Sequence, residues 1–236
     1  MATIDSGKIE RIEYDLAEIY RGIRTRVTDL ILGASAESLE RVAPATPEWS
    51  ALGVLAHMVG STADVIEGRL EGVASSEWTQ TQVDLRSTSS PEQLLEEWGR
   101  FSPQVEPLID SFPRRMQGMF IVDAATHEHD LRGALNAAGA RDSDAVDYAF
   151  DQLSFGIGRQ RGDAGALKII HEAGERVVGE GEATASLRTT RFEIIRAGVG
   201  RRSTTQIASW DWEGSAEPES VVIGMFAPPR STDLVE

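Results

Sequence analysis

Two histidines and two aspartates, set into an apolar stretch, carry the chemistry this chain could do. The stretch is Met116 to Leu135, MQGMFIVDAATHEHDLRGAL. At about 100° per residue, Met116, Phe120, Asp123, His127, Asp130 and Ala134 share one stripe, the one expected to face a core. Burying a carboxylate or an imidazole costs several kcal/mol, roughly, unless each finds a partner, and a metal ion satisfies both at once. Asp123 and His127 stand at i and i+4, so their side chains can aim at a common point one helical turn apart. That pair is a candidate metal site. A hydrogen-bonded polar cluster between helices explains the same residues without a metal. A third imidazole, His57, lies among Gly53, Gly60, Ser61 and Asp64. Taken alone it reads as a packed histidine.

These residues need helices to position them. Apolar residues at Ile9, Ile12, Leu16, Ile19, Ile23, Val27, Leu30 and Ile31 predict a long first helix from about residue 4, stopped by Gly33. Residues 34–47, with Pro44 and Pro47, read as a connection with a short helical turn at 36–41. Ser50 is placed to cap a second helix running to about Leu70, with Leu52, Leu55, Val59, Ile66 and Leu70 on one face. Residues 71–91 read as a long loop of lid character. Pro91 opens a third helix over about 92–110, with Leu94, Leu95, Trp98, Val105 and Leu108 inward. The stretch around His127 is the fourth helix. Four helices with polar residues projecting inward describe a bundle with a metal or ligand site in its core.

After Gly139 the texture changes. Residues 142–156 predict a fifth, bridging helix. Strands follow at 166–172, 176–179 and 183–187, then short helices at 192–198 and 203–209, and an edge strand at Trp210-Asp211-Trp212. The tail from Pro228 reads as loose or docked on the surface. The reading is an α+β chain divided near residue 140: a helical bundle over 1–140 and a small α+β unit over 141–236.

Composition narrows the function. The chain has 236 residues, 23 basic against 38 acidic, and a formal net charge of −15, which argues against a nucleic-acid backbone or an anionic membrane as partner. It has no cysteine, so a metal must rely on His, Asp and Glu, and any sulfur nucleophile must come from a cofactor. A polar, acidic N-terminus and the lack of a long apolar run predict a cytoplasmic protein, monomeric or homodimeric. The tryptophans at 49, 78, 98, 210 and 212 read as core anchors. Gly-Val-Gly before Arg201 is not a phosphate loop, because the Walker lysine is missing.

WSALGVLAHMVG, with a histidine seven residues after Ser50, followed by DAATHEHDLRGAL, resembles the DinB-like metal-binding bundles. More closely, it resembles the actinobacterial mycothiol-dependent maleylpyruvate isomerase family. SLRTTRFEIIRAGVGRRSTTQIASWDWEG is similar to the sterol-carrier-like C-terminal domain that many of these proteins carry. The resemblance implies a divalent metal, zinc in the family, held by His57, Asp123 and His127. Asp123 stands where the family has glutamate, shortening the reach by one methylene. Asp130 would orient His127, His129 would lie outside the ligand set, and Arg201 or Arg202 would supply the arginine that the second unit brings to the active region. The implied cofactor is mycothiol, bound as thiolate at an open metal position. The implied reaction is cis–trans isomerisation of, or sulfur transfer to, a small electrophilic substrate. Two other readings of the residues are metal-assisted hydrolysis by bound water and a non-catalytic binding protein.

Overall fold

The computed structural model describes residues 13–236. The expected helical start at residues 4–12, with Ile9 and Ile12, lies outside the described residues. The first helix, α1, spans Leu16–Gly33, its start capped by Asp15, which accepts from the Glu18 amide at 2.9 Å. Leu16, Ile19, Ile23, Val27 and Ile31 are buried along one stripe, as the periodicity requires.

A one-turn helix α2 (Ala36–Leu39) leads into an antiparallel hairpin of β1 (Val42–Ala43) and β2 (Thr46–Ser50). The turn at 36–41 was expected; the hairpin was not. Its strands are too short and too proline-rich to show an alternating pattern. Ser50 then caps α3 (Ala51–Glu67), its hydroxyl accepting from the Gly53 amide at 3.1 Å, and Gly68 ends the helix in the left-handed conformation. Because α3 packs against α4, α5 and α6, it is buried around nearly its whole circumference.

The region expected as a long loop carries a helix, α4 (Ser76–Asp84), capped by Ser75. Its one buried residue is an amide, Gln82. A helix that turns a polar side chain inward leaves no apolar period to read, which is why the pattern concealed it. Next comes α5 (Pro91–Val105), opened by a capping box between Ser90 and Gln93. Leu94, Trp98 and Val105 are buried, but Leu108 is exposed, contrary to expectation. The chain tightens into a 3-10 turn over Glu106–Ser111, which shifts the phase and puts Ile109 inside instead.

The fourth long helix, α6 (Arg114–Ala134), carries the candidate ligands, and α7 (Asp144–Arg161) follows. A four-stranded sheet of order β4-β3-β5-β6 comes next, from β3 (Ala166–His171), β4 (Gly174–Val178), β5 (Ala183–Arg188) and β6 (Asp211–Gly214). Strand β3 runs parallel to β5, the other pairs are antiparallel, and β6 is the expected edge. Helices α8 (Arg191–Gly198) and α9 (Thr204–Ala208) lie between β5 and β6. The architecture is α+β.

Apolar side chains form two clusters. One gathers residues from α1, α3, α5 and α6; the other gathers α7, the sheet, α8 and a 3-10 turn at Pro218–Val221. Helix α7 serves both, with Ala145 and Tyr148 in the first and Val146, Phe150, Leu153 and Ile157 in the second. Of the two readings of the tail, docking holds: Leu234 and the Glu236 side chain are buried, and Arg230 donates from its backbone to the Arg202 carbonyl and from its side chain to the Ala45 carbonyl. No helix among the described residues is long and apolar enough to cross a membrane.

Candidate metal centre

Helix α3 brings His57 and helix α6 brings Asp123 and His127 to one point, with a ligand atom of each lying within 4.8 Å of the others. His57 Nε2 is 3.4 Å from Asp123 Oδ2, and His127 Nε2 is 3.5 Å from Asp123 Oδ1. Donors about 2.0–2.1 Å from a tetrahedral zinc sit about 3.3–3.4 Å from one another, close to the two histidine–aspartate distances, one to each carboxylate oxygen. Both imidazoles are buried while the Asp123 side chain is 42% exposed, leaving one side of the triad open to solvent. His57 Nε2 is buried with no hydrogen-bond partner. An unpartnered imidazole nitrogen buried beside a carboxylate and a second imidazole fits a cation better than a self-contained polar cluster.

Trp49, from the end of β2, lies against both rings, with centroid distances of 5.1 Å to His57 and 6.1 Å to His127. It packs against the helical core, as expected of an anchor, and also forms a wall of the triad. Its indole N–H donates to Gln80 of α4 at 2.9 Å.

Asp130 is fully buried. Its Oδ2 lies 3.0 Å from His127 Nδ1, off the line of a well-formed hydrogen bond, and 3.0 Å from Arg201 Nη2. Its Oδ1 accepts from Arg196 Nη2 at 2.7 Å. Of the two candidate arginines, Arg201 thus reaches the back of the triad. Arg202 is held elsewhere, by Glu193 at 2.6 and 2.9 Å and by Glu236 at 2.9 Å. Arg196, which sequence reasoning missed, is completely buried and pairs with both Asp130 and Glu236. On α8 it looks like any helical charge; only its place in the fold distinguishes it. Gln82 was missed for the same reason: its Oε1 lies 2.7 Å from His57 Nδ1. His129 packs on Phe192 away from the triad, and burial, with help from the Arg196 and Arg132 charges, lowers its pKa to about 3.

The electrostatics of the triad follow from these neighbours. Burial would raise the Asp123 pKa, but the two imidazoles outweigh it and hold the carboxyl well below the usual carboxylate range. Burial would lower the His127 pKa, but Asp123, and behind it Asp130, push it up to about 9 from 6.5. Asp130 itself, despite burial, is held low by Arg201 and Arg196.

A raised imidazole stabilises the folded state below its unfolded pKa, and that contribution fades as pH rises through the folded value. The cation-free protein should therefore hold this contribution below pH 6.5 and lose it as pH climbs through about 9. A cation entering the triad must displace the His127 proton. Calorimetry in buffers of differing ionisation enthalpy should thus show about one proton released per cation bound at pH 7, with affinity weakening as pH falls. Binding with no proton release would contradict this assignment of charge.

No family model and no curated protein matches the sequence. Among solved structures, the mycothiol-dependent maleylpyruvate isomerase matches with a TM-score of 0.56 at 12% identity, over 79% of this chain and 88% of that one. A histidine-to-alanine mutant of a mycothiol-dependent maleylpyruvate isomerase matches with a TM-score of 0.56 at 13% identity, over 86% of this chain and 95% of the other. The chain has the fold of the mycothiol-dependent maleylpyruvate isomerase. At this identity the likeness speaks for the fold, and it spans both the helical and the sheet-containing portions. Within the isomerase fold, the His57–Asp123–His127 geometry is a property of this chain's own residues.

Proposed function

We propose that this protein binds a divalent cation, zinc by preference, through His57 Nε2, Asp123 and His127 Nε2, and uses it to activate a small thiol. The observation that carries this reading is the buried, unpartnered His57 Nε2 converging with Asp123 and His127. Three protein ligands leave a tetrahedral position open, as in catalytic sites. A cation there lowers the pKa of a bound thiol and so supplies a nucleophilic thiolate at neutral pH. The thiol would come from a cofactor, since the chain has no cysteine; the fold's likeness to a mycothiol-dependent enzyme favours mycothiol. The reaction we favour is cis–trans isomerisation of a small conjugated electrophile, or sulfur transfer to one.

The remaining residues would share the work as follows. Trp49 covers the imidazoles and keeps water from that side. Arg201, anchored by Asp130, offers a positive charge for an anionic substrate or the thiol's polar groups, while Asp130 positions both Arg201 and His127. On this reading the division near residue 140 is functional: the first unit supplies the ligands and the second supplies Arg201. Small thiols are kept reduced in the cytoplasm, where we place the protein.

The test is to purify the protein without added metal, measure its metal content, and follow maleylpyruvate isomerisation and thiol consumption with and without mycothiol. Turnover that requires both cation and thiol supports the proposal. Turnover that proceeds equally without the thiol, or protein that takes up no cation, overturns it.

A further inference from the structure

Behind His57 lies a chain of polar contacts that the triad itself does not explain. Gln82 is fully buried and uses both ends of its amide. Its Oε1 sits 2.7 Å from His57 Nδ1, and its Nε2 donates to Asp64 Oδ2 at 2.9 Å. Asp64, two turns beyond His57 on α3, is held by the Arg69 guanidinium at 2.7 Å. The arrangement has a direction. An ionised carboxylate only accepts hydrogen bonds, so the Gln82 NH2 must face Asp64 and its carbonyl must face His57. A carbonyl only accepts, so His57 must carry its proton on Nδ1. In the neutral ring Nε2 is then a bare lone pair, buried without a partner 3.4 Å from Asp123 Oδ2.

The backbone is built to allow this. At Gly60 a Cβ atom would lie 2.6 Å from the Gln82 Cβ, so α3 and α4 come this close only because residue 60 is glycine. From the other side, Arg86 donates to the backbone carbonyl of Gln82 at 3.2 Å and grips Glu97 of α5 with two hydrogen bonds.

We infer that Gln82 is a positioning residue that locks His57 as the Nδ1–H tautomer and so keeps its Nε2 free for the cation. This rests on the cation-site reading above. Without the amide, the imidazole could place its proton on Nε2 and hydrogen-bond Asp123, 3.4 Å away. The triad would then satisfy itself and exclude the ion. A glutamate at 82 would not substitute, because its carboxylate would face that of Asp64 with no N–H to donate.

The test compares wild type with Gln82→Leu and Asp64→Asn. In the second variant Gln82 stays, but the residue 64 amide can turn its NH2 toward Gln82 and reverse the chain, so the inference remains testable if Gln82→Leu folds poorly. Zinc affinity is measured by competition with a chromophoric chelator, and the His57 tautomer by long-range nitrogen-15 spectra of the cation-free protein. Loss of an outer partner of a metal-bound histidine typically weakens binding about 10–100-fold, and that loss is expected here. The His57 signals should move from the Nδ1–H to the Nε2–H pattern in both variants. A merely structural role for Gln82 would not change the tautomer in Asp64→Asn. An Nε2–H tautomer in wild type, or zinc affinities within about twofold of wild type in both variants, overturns the inference. Wild-type protein that takes up no zinc would sink the proposed function, and the tautomer in the same spectra would still decide this one.

Discussion

Arg196→Met should lower the unfolding free energy of the cation-free protein by about 3–5 kcal/mol, the range for removing one partner of a buried ion pair. For a chain of this size that corresponds to a fall in melting temperature of about 6–20 °C. Arg196 has no exposed side-chain surface, and neither does Asp130. Its guanidinium donates to Glu236 at 2.6 and 2.9 Å, to Asp130 at 2.7 Å and to the Thr126 carbonyl at 3.2 Å. Methionine matches much of the volume but leaves two buried carboxylates short of positive charge. Asp130 keeps only Arg201 and the His127 ring, and Glu236 keeps Arg202. Lysine should restore only part of the loss, since one ammonium cannot reproduce the planar fork that reaches both acids. Denaturant titration of wild type, Arg196→Met and Arg196→Lys measures this. A change below about 1 kcal/mol, the value for an exposed pair, would show that the cluster is solvated in solution.

His57→Ala should reduce zinc affinity by more than the roughly 100-fold expected from losing an outer partner such as Gln82. The triad draws on two helices, and His57 is the sole ligand atom from α3. Asp123 and His127 alone are two donors one turn apart on α6. Two donors hold a cation more weakly than three. Stabilisation of the folded state by added zinc, which follows from preferential binding to the native protein, should vanish with the histidine. His129→Ala is the control: His129 is equally buried, two residues from His127, yet packs on Phe192. Its replacement should leave zinc stoichiometry unchanged. Equal zinc uptake by His57→Ala and wild type would remove α3 from the site.

Much of this was legible in the chain. The periodicity of Ile19, Ile23, Val27 and Ile31, the Ser50 cap and the Pro91 start placed α1, α3 and α5, because each is a local preference backed by an apolar face. The acids and imidazoles of α6 stood out because charges on a core stripe demand a partner. Helix α4 did not stand out, since its inward residue is Gln82, and Leu108 was misplaced because a 3-10 turn broke the phase.

The sequence by itself determined the inventory: helices first and a small sheet after, a negative surface, no thiol, and Asp123 and His127 one turn apart. Spacing within one helix is fixed by covalent geometry, so it can be read without a fold. Which of His57, His129, Arg196, Arg201 and Arg202 joins that pair depends on how separate elements pack. Burial and contact between residues distant in sequence come from closing the whole core at once, and no local pattern records them. Only the tertiary structure turned His57 inward and His129 away, tied Arg201 and Arg196 to Asp130, and set a buried amide behind the first of the ligands.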